Sequence, residues 1–277
     1  RVPWDYWAVK EVDRRLLEHY ALPDREALLD HLDVDLRYIE GPRYIGPALK
    51  EYPDGSVEDL WGVPRKTVAV GSTGAASQYE HVTRSPLAAC QTVEEIRAYP
   101  RWPSPDWYDY SGLAAQCARH KARGRAVVFM GDRLNRIAQW KPIQYLRGME
   151  RCMEDMLERP DIFHALTGKL AGFYVEYLRR ILEAARGGID IVFMGDDFGM
   201  QDRMLCSPGM WREFLAPGLR KFIETTKPFK VFVAQHTDGA VGPIIGDMVA
   251  MGLDILNPVQ PGVQGMEPEK LKQAFGD

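Results

Sequence analysis

Four short runs of β-branched and aromatic residues punctuate the second half of the chain: AVVFM (Ala126 to Met130), DIVFM (Asp190 to Met194), KVFVA (Lys230 to Ala234) and DILNP (Asp254 to Pro258). Each is almost continuously apolar, as strands covered on both faces are. Helical patterns lie between them. Ile143, Leu146, Met149, Met153, Met156 and Leu157 trace one stripe; Leu170, Phe173, Tyr174, Tyr177, Leu178, Ile181 and Leu182 trace a second. Trp211, Phe214, Leu215, Leu219, Phe222 and Ile223 make a third. Ser207-Pro208 supplies an N-cap followed by an N1 proline, Pro142, Pro160 and Pro268 suit first turns, and Thr92 with Glu95 reads as a capping box. Strand alternating with helix predicts a parallel sheet with right-handed crossovers.

The first 120 residues are less regular. DLRYI (Asp35 to Ile39) and KTVAV (Lys66 to Val70) are strand candidates, and the Pro- and Trp-rich stretch from Tyr99 to Asp109 reads as an ordered loop. No linker marks a second domain, so residues 1–277 are expected to form one domain. Six strand candidates fall short of the eight of a barrel. The helix from Pro268 to Phe275 ends at Gly276-Asp277 with no strand after it. Either an eight-stranded barrel is incomplete here or the chain is a fragment of a longer protein.

Composition narrows the partners. The 277 residues are 45% hydrophobic and 27% charged with a net charge of -4, and Lys and Arg are dispersed, so nothing points to nucleic acid. No apolar run is long enough to span a membrane. The opening RVPWDYW lacks a basic and then apolar leader, and the four cysteines form no CxxC pair. A cytoplasmic protein with free thiols is expected.

Chemistry collects where the strands end, the face at which parallel α/β folds bind ligands. The first run leads to Asp132 and Arg133, and the second to Asp196, Asp197 and Gln201. The third leads to Gln235, His236 and Asp238, and the fourth to Asn257 and Gln260. The words VVFMGD and IVFMGD deliver the first two sets through the same Met-Gly-Asp exit. Adjacent carboxylates such as Asp196 and Asp197 suit acid–base work when their surroundings separate their pKa values. They can equally cap a turn or pair with Arg203. His236 can be structural, and Asp238-Gly239 can be only a turn. His120 and His164 read as structural helix residues, His120 at the surface. Met194, Met200 and Met204 read as packing. No phosphate-cradling glycine loop occurs.

Several segments together resemble the uroporphyrinogen decarboxylase superfamily. They are RVPWDYW, DGSVEDLWGVPRK, TVEEIRAYPRWPSPDWYDYSGL, GDDFGMQDRMLCSPGMWREFLAPGLRK, HTDGAVGPIIGDMVAMGLDILNPVQP and MEPEKLKQAFGD. The resemblance implies a TIM-type barrel with its site at the C-terminal face, and members that continue beyond residue 277 into two more strands. The superfamily holds the haem-pathway decarboxylase. It also holds methyltransferases that move methyl groups between a corrinoid carrier protein and coenzyme M or tetrahydrofolate. The decarboxylases carry an Arg-rich RQAGRY segment where this chain has WAVKEVDRRLLEHY, and an Asp where it has LRYIEGP. Zinc-dependent thiol methyltransferases of the family use His-x-Cys; His236 matches, but Asp238 stands at the Cys position.

These comparisons favour a methyltransferase-type member acting on a small molecule, with a corrinoid or tetrahydrofolate as methyl carrier, a corrinoid carrier protein as partner, and zinc as a candidate metal. His236, Asp238, Asp197 and Asp196 would be catalytic. Gln201, Asn257, Gln260, Asp132, Arg133 and Arg43 would hold the substrate. The alternatives are a decarboxylase, with Asp196 or Asp197 holding a cationic ring and Arg43 or Arg133 gripping carboxylates, and a non-catalytic binding relative.

Overall fold

The computed structural model describes residues 2–70, 77–130 and 136–276. Ten strands occur among them: β1 (Leu36–Ile39), β2 (Arg43–Tyr44), β3 (Val57–Glu58), β4 (Pro64–Val70), β5 (Ser77–Val82), β6 (Tyr108–Asp109), β7 (Ala126–Phe129), β8 (Ile191–Gly195), β9 (Phe232–His236) and β10 (Ile255–Asn257). Five of them build the central sheet, in the order β1-β7-β8-β9-β10, with every pairing parallel. The three gaps between β7, β8, β9 and β10 are crossed by helices, as the alternating pattern requires. Among the described residues the sheet is an open arc, with β1 and β10 at its two ends, rather than a closed eight-stranded ring.

KTVAV does not join this sheet. It lies within β4, which pairs antiparallel with β3 and β5 in a separate three-stranded ribbon. A short apolar run has no length or period by which to tell a barrel strand from a hairpin strand. Within Tyr99 to Asp109 the loop contains a turn of 3-10 helix, and it closes on β6, which pairs with β2.

Two of the three apolar stripes are each split between two helices. The first covers α5 (Trp140–Arg147) and α6 (Met149–Glu158), which meet at Gly148. Gly148 has φ +87, a conformation a helix interior cannot hold and a side chain resists. The third covers α8 (Pro208–Phe214) and α9 (Ala216–Thr226), which meet at Leu215, just ahead of Pro217. The second is one helix, α7 (Pro160–Ala185), starting at its N1 proline. Its Phe173 stacks on Tyr177 and meets Trp61 edge to face, and Tyr177 packs tilted against Tyr108, all in the main core. The Ser207 cap, the Thr92–Glu95 capping box and the helix at Pro268–Phe275 are all present.

His120 departs from expectation. It is 4% exposed, beneath Arg119 and near Glu26, and burial lowers its pKa. The surrounding Arg and Lys residues made its helix look like a solvated face. Of the three methionines, Met194 and Met204 are buried and Met200 is exposed.

Candidate active site at the strand ends

The concave face of the sheet carries alternate residues of each strand. Val128, Phe193 and Ala234 form its apolar floor, with Leu36, Tyr38, Met130 and Ile191 against them. By the period of two, His236 follows Ala234 on that face, and Gln235 turns to the other side, where it is buried. Strand β9 runs two residues later than KVFVA suggests, because Lys230 takes a left-handed conformation (φ 55) and ends the preceding turn. His236 is thus the last strand residue and not a loop residue. In register, it faces Gly195 on one side and Asn257 on the other.

That register sets the chemistry of the imidazole. His236 Nδ1 lies 2.8 Å from Asn257 Oδ1, an atom that only accepts, so Nδ1 carries the proton and donates it. In the neutral ring Nε2 is then left with a lone pair. It points to two carboxylates, 3.6 Å from Asp197 Oδ1 and 3.6 Å from Asp238 Oδ2. Asp197, His236 and Asp238 place one ligand atom each within 4.8 Å of one another.

Asp197 is held from two directions. Lys141 Nζ is 2.6 Å from its Oδ2, and the Asp238 amide donates to its Oδ1 at 3.3 Å. Burial pushes its pKa up, but the Lys141 ammonium outweighs that, and the carboxyl stays below its ordinary value. Nothing assigned Lys141 a role beforehand. Its local signal was its place in the first turn of α5, where a cation runs against the helix dipole.

Asp196 has a different role from Asp197. It is 2% exposed, and its carboxylate accepts from the amides of Gln139 (2.5 Å), Trp140 (2.9 Å) and Lys141 (2.9 Å). It therefore caps α5 from across the site, meeting the free N–H groups of the first turn. Burial pushes its pKa up to about 6 against the pull of those amides. Expected among the catalytic residues, Asp196 has its carboxylate turned to the first turn of α5, the turn that carries Lys141. Arg203 pairs with neighbouring Asp202, not with either site carboxylate.

The rim is hydrogen-bonded. Gln260 Nε2 donates to Gln201 Oε1 at 3.2 Å, and its Oε1 accepts from the Gly239 amide at 3.1 Å. Gly239 has φ +86, and a Cβ there would meet the Gly199 and Met200 backbone at 2.5–2.7 Å, so only glycine lets the two exit loops touch. Thr237, buried and unforeseen, accepts from the Phe198 amide at 3.0 Å. Arg43 is not part of this cluster: it is 77% exposed and pairs with Asp109 on the β2–β6 ribbon. Asp132 and Arg133 lie outside the described residues. Across the mouth, Trp7 sits with its ring centroid 5.8 Å from that of His236 and 5.2 Å from that of Phe193. Its Nε1 donates to Tyr38 at 2.7 Å, and Tyr38 in turn donates to Asp5 at 2.6 Å.

The family model "Uroporphyrinogen decarboxylase (URO-D)" matches residues 135–259, a little under half of the chain. That span contains Lys141, Asp197, His236, Asp238 and Asn257. Over those residues the chain is similar to that family. Comparison with curated proteins gives no match. Among solved structures, a methyltransferase from Methanosarcina mazei is similar, with a TM-score of 0.50 and 16% identity. The alignment covers 87% of this chain and 66% of that one, so this chain spans just under two thirds of the length of that structure. At that identity the likeness speaks to the fold. It agrees with the parallel central sheet. None of the described helices is long and apolar enough to cross a membrane.

Proposed function

We propose that this URO-D-like domain acts in methyl transfer, moving a methyl group from a corrinoid or tetrahydrofolate carrier to a small-molecule acceptor. The observation that carries the reading is the convergence of Asp197, His236 and Asp238 on one point, with the Nε2 lone pair of His236 aimed into it. An acceptor must lose a proton before its lone pair can attack carbon. Neutral Nε2 takes that proton, and Asp197 and Asp238 stabilise the imidazolium that forms. The acceptor–carbon bond forms as the carbon–carrier bond breaks, and the electron pair of that bond stays on the carrier. Asn257 keeps the reactive nitrogen pointed inward, while Gln201 and Gln260 offer amide groups at the rim.

The same three donors fit a divalent cation. They supply one nitrogen and two oxygens, leave a position open, and include a histidine whose other nitrogen is already anchored. No thiolate belongs to the set, so a thiolate-rich zinc site is not what they would make. A cation held there would lower the pKa of a bound acceptor. It would compete with Lys141 for Asp197.

The test is methylcobalamin, followed by its visible spectrum, with a thiol or with tetrahydrofolate as acceptor and with metal content measured elementally. Demethylation is expected, falling roughly 10²–10⁴-fold in His236→Ala. Absence of demethylation with every thiol and folate acceptor overturns the reading. Release of carbon dioxide from a porphyrinogen would instead select the decarboxylase alternative, in which ionised Asp197 faces a cationic ring.

A further inference from the structure

Beside the triad lies a second, narrow pocket lined by Trp61, Arg65, Arg136, Lys141, Tyr145 and Gly195. Lys141 belongs to both, since its ammonium also pairs with Asp197. The pocket's chemistry begins with Asp59, which is buried with no side-chain exposure. Asp59 Oδ1 is taken by the amides of Trp61 (2.9 Å) and Val63 (3.0 Å), so only Oδ2 meets Arg65, at Nε, 2.8 Å away. A guanidinium and a carboxylate often pair through two parallel hydrogen bonds. Here the second is not made, and Arg65 Nη2 is buried without a hydrogen-bond partner among the described residues. Arg65 is 7% exposed, and its guanidinium is held 4.3 Å over the Tyr145 ring. Trp61 Nε1, on the same wall, is likewise buried and unpartnered.

Two buried donors left without acceptors are costly unless something accepts from them. Arg136 lines the same pocket. Its side chain packs so closely over Gly195 that a Cβ there would come within 2.3 Å of its Cδ. Asp59 neutralises Arg65 and Asp197 neutralises Lys141, so the pocket is short of acceptor atoms rather than strongly cationic. The missing partner is an oxygen acceptor, and a guanidinium donor favours an anionic one. The open space is about 20 Å³, little more than one water-sized group, which suits the flat end of a carboxylate better than a tetrahedral phosphate or sulfate.

We propose that this pocket holds the carboxylate of the small-molecule substrate, with Arg65 Nη2 and Trp61 Nε1 as donors and Lys141 linking it to the reacting centre. The substrate of the strand-end site is then an organic acid. Its carboxylate is anchored behind α5, and its reacting atom is directed toward His236. The idea rests on the strand-end site being the reaction centre, as in the methyl-transfer reading, but it is tested by binding alone. Either can therefore fail without the other.

The probe is sodium acetate, observed by saturation-transfer NMR on its methyl group, with acetamide at equal concentration as the neutral control. The expected result is a saturable acetate signal and none for acetamide. Ala138 also lines the pocket, and Ala138→Leu, which fills it without altering a charge, is expected to abolish the acetate signal. Trp61→Phe, which removes one donor and keeps most of the ring, is expected to weaken binding about tenfold. Arg65→Gln also leaves Asp59 unpaired and can compromise folding, so the two uncharged substitutions decide the matter, each checked by circular dichroism and melting temperature. The proposal is overturned by unchanged acetate binding in folded Ala138→Leu or Trp61→Phe protein. It is equally overturned if the unsubstituted chain shows no saturable binding up to on the order of 100 mM.

Discussion

Lys141 and Asp197 show how a single contact decides a protonation state. Burial alone would raise the Asp197 carboxyl; the ammonium 2.6 Å away reverses the sign. A folded-state pKa below the unfolded value means that the pair stabilises the fold above the ordinary carboxylate range. That contribution is lost as the pH falls through the lowered value. Lys141→Met removes the ammonium and leaves burial dominant. The acid limb of the kcat/KM profile is then expected to move to higher pH. An acid limb that stays in place would detach Asp197 from the reaction. At this scale the sequence told half of the story. His236, Asp238, Asn257, Gln201 and Gln260 were legible because polar residues follow apolar strands. Lys141 was not, since it reaches the cluster from a helix 55 positions or more away from its partners. Asp196 and Asp197 are neighbours in sequence, and nothing in their order says that one faces the cleft and the other a helix end.

Helix starts and strand register carry the next level of control. Asp196, at the end of β8, closes the N-terminus of α5 through three amide hydrogen bonds, so strand and helix are held in a fixed relation. Asp196→Ala is expected to cost roughly 2–3 kcal/mol of stability, measured by denaturant unfolding, because it strands buried donors as well as removing a cap. Loss of activity in that variant with unchanged stability would instead mark Asp196 as a participant in the chemistry. Element identity was readable from period and composition for β7, β8, β10 and α7. Breaks inside a stripe were not. The interruption at Gly148 leaves the apolar positions in phase on both sides, so α5 and α6 looked like one helix. KTVAV likewise has the composition of a barrel strand and the partners of a hairpin.

Across the molecule, a buried ion pair ties the helical layer to the irregular first third. Arg147, in the last turn of α5, donates to both oxygens of Asp155 in α6 at 2.7 and 3.1 Å, and to the carbonyls of Leu87 (2.5 Å) and Cys90 (2.7 Å). Both charged side chains are fully enclosed. Asp155→Ala leaves the guanidinium inside without its carboxylate and is expected to cost about 3–5 kcal/mol, read as a lower melting temperature and urea midpoint. A loss under 1 kcal/mol would mean that the remaining carbonyls suffice. Sequence pattern could not foresee this tie, because no periodicity records a contact between a helix and a loop 57 to 60 residues away.

Among the described residues β10 pairs with β9 alone, and Asn257 is its last residue. Asn257 also holds the Nδ1 proton of His236. A short strand bonded along one edge breathes more readily than one bonded along both. Each time β10 lifts away, the imidazole loses the acceptor that fixes its tautomer, and the proton is free to change nitrogens. The time during which Nε2 presents a lone pair is thus tied to how firmly β10 holds to β9. Whatever braces that edge also sets the duty cycle of the base.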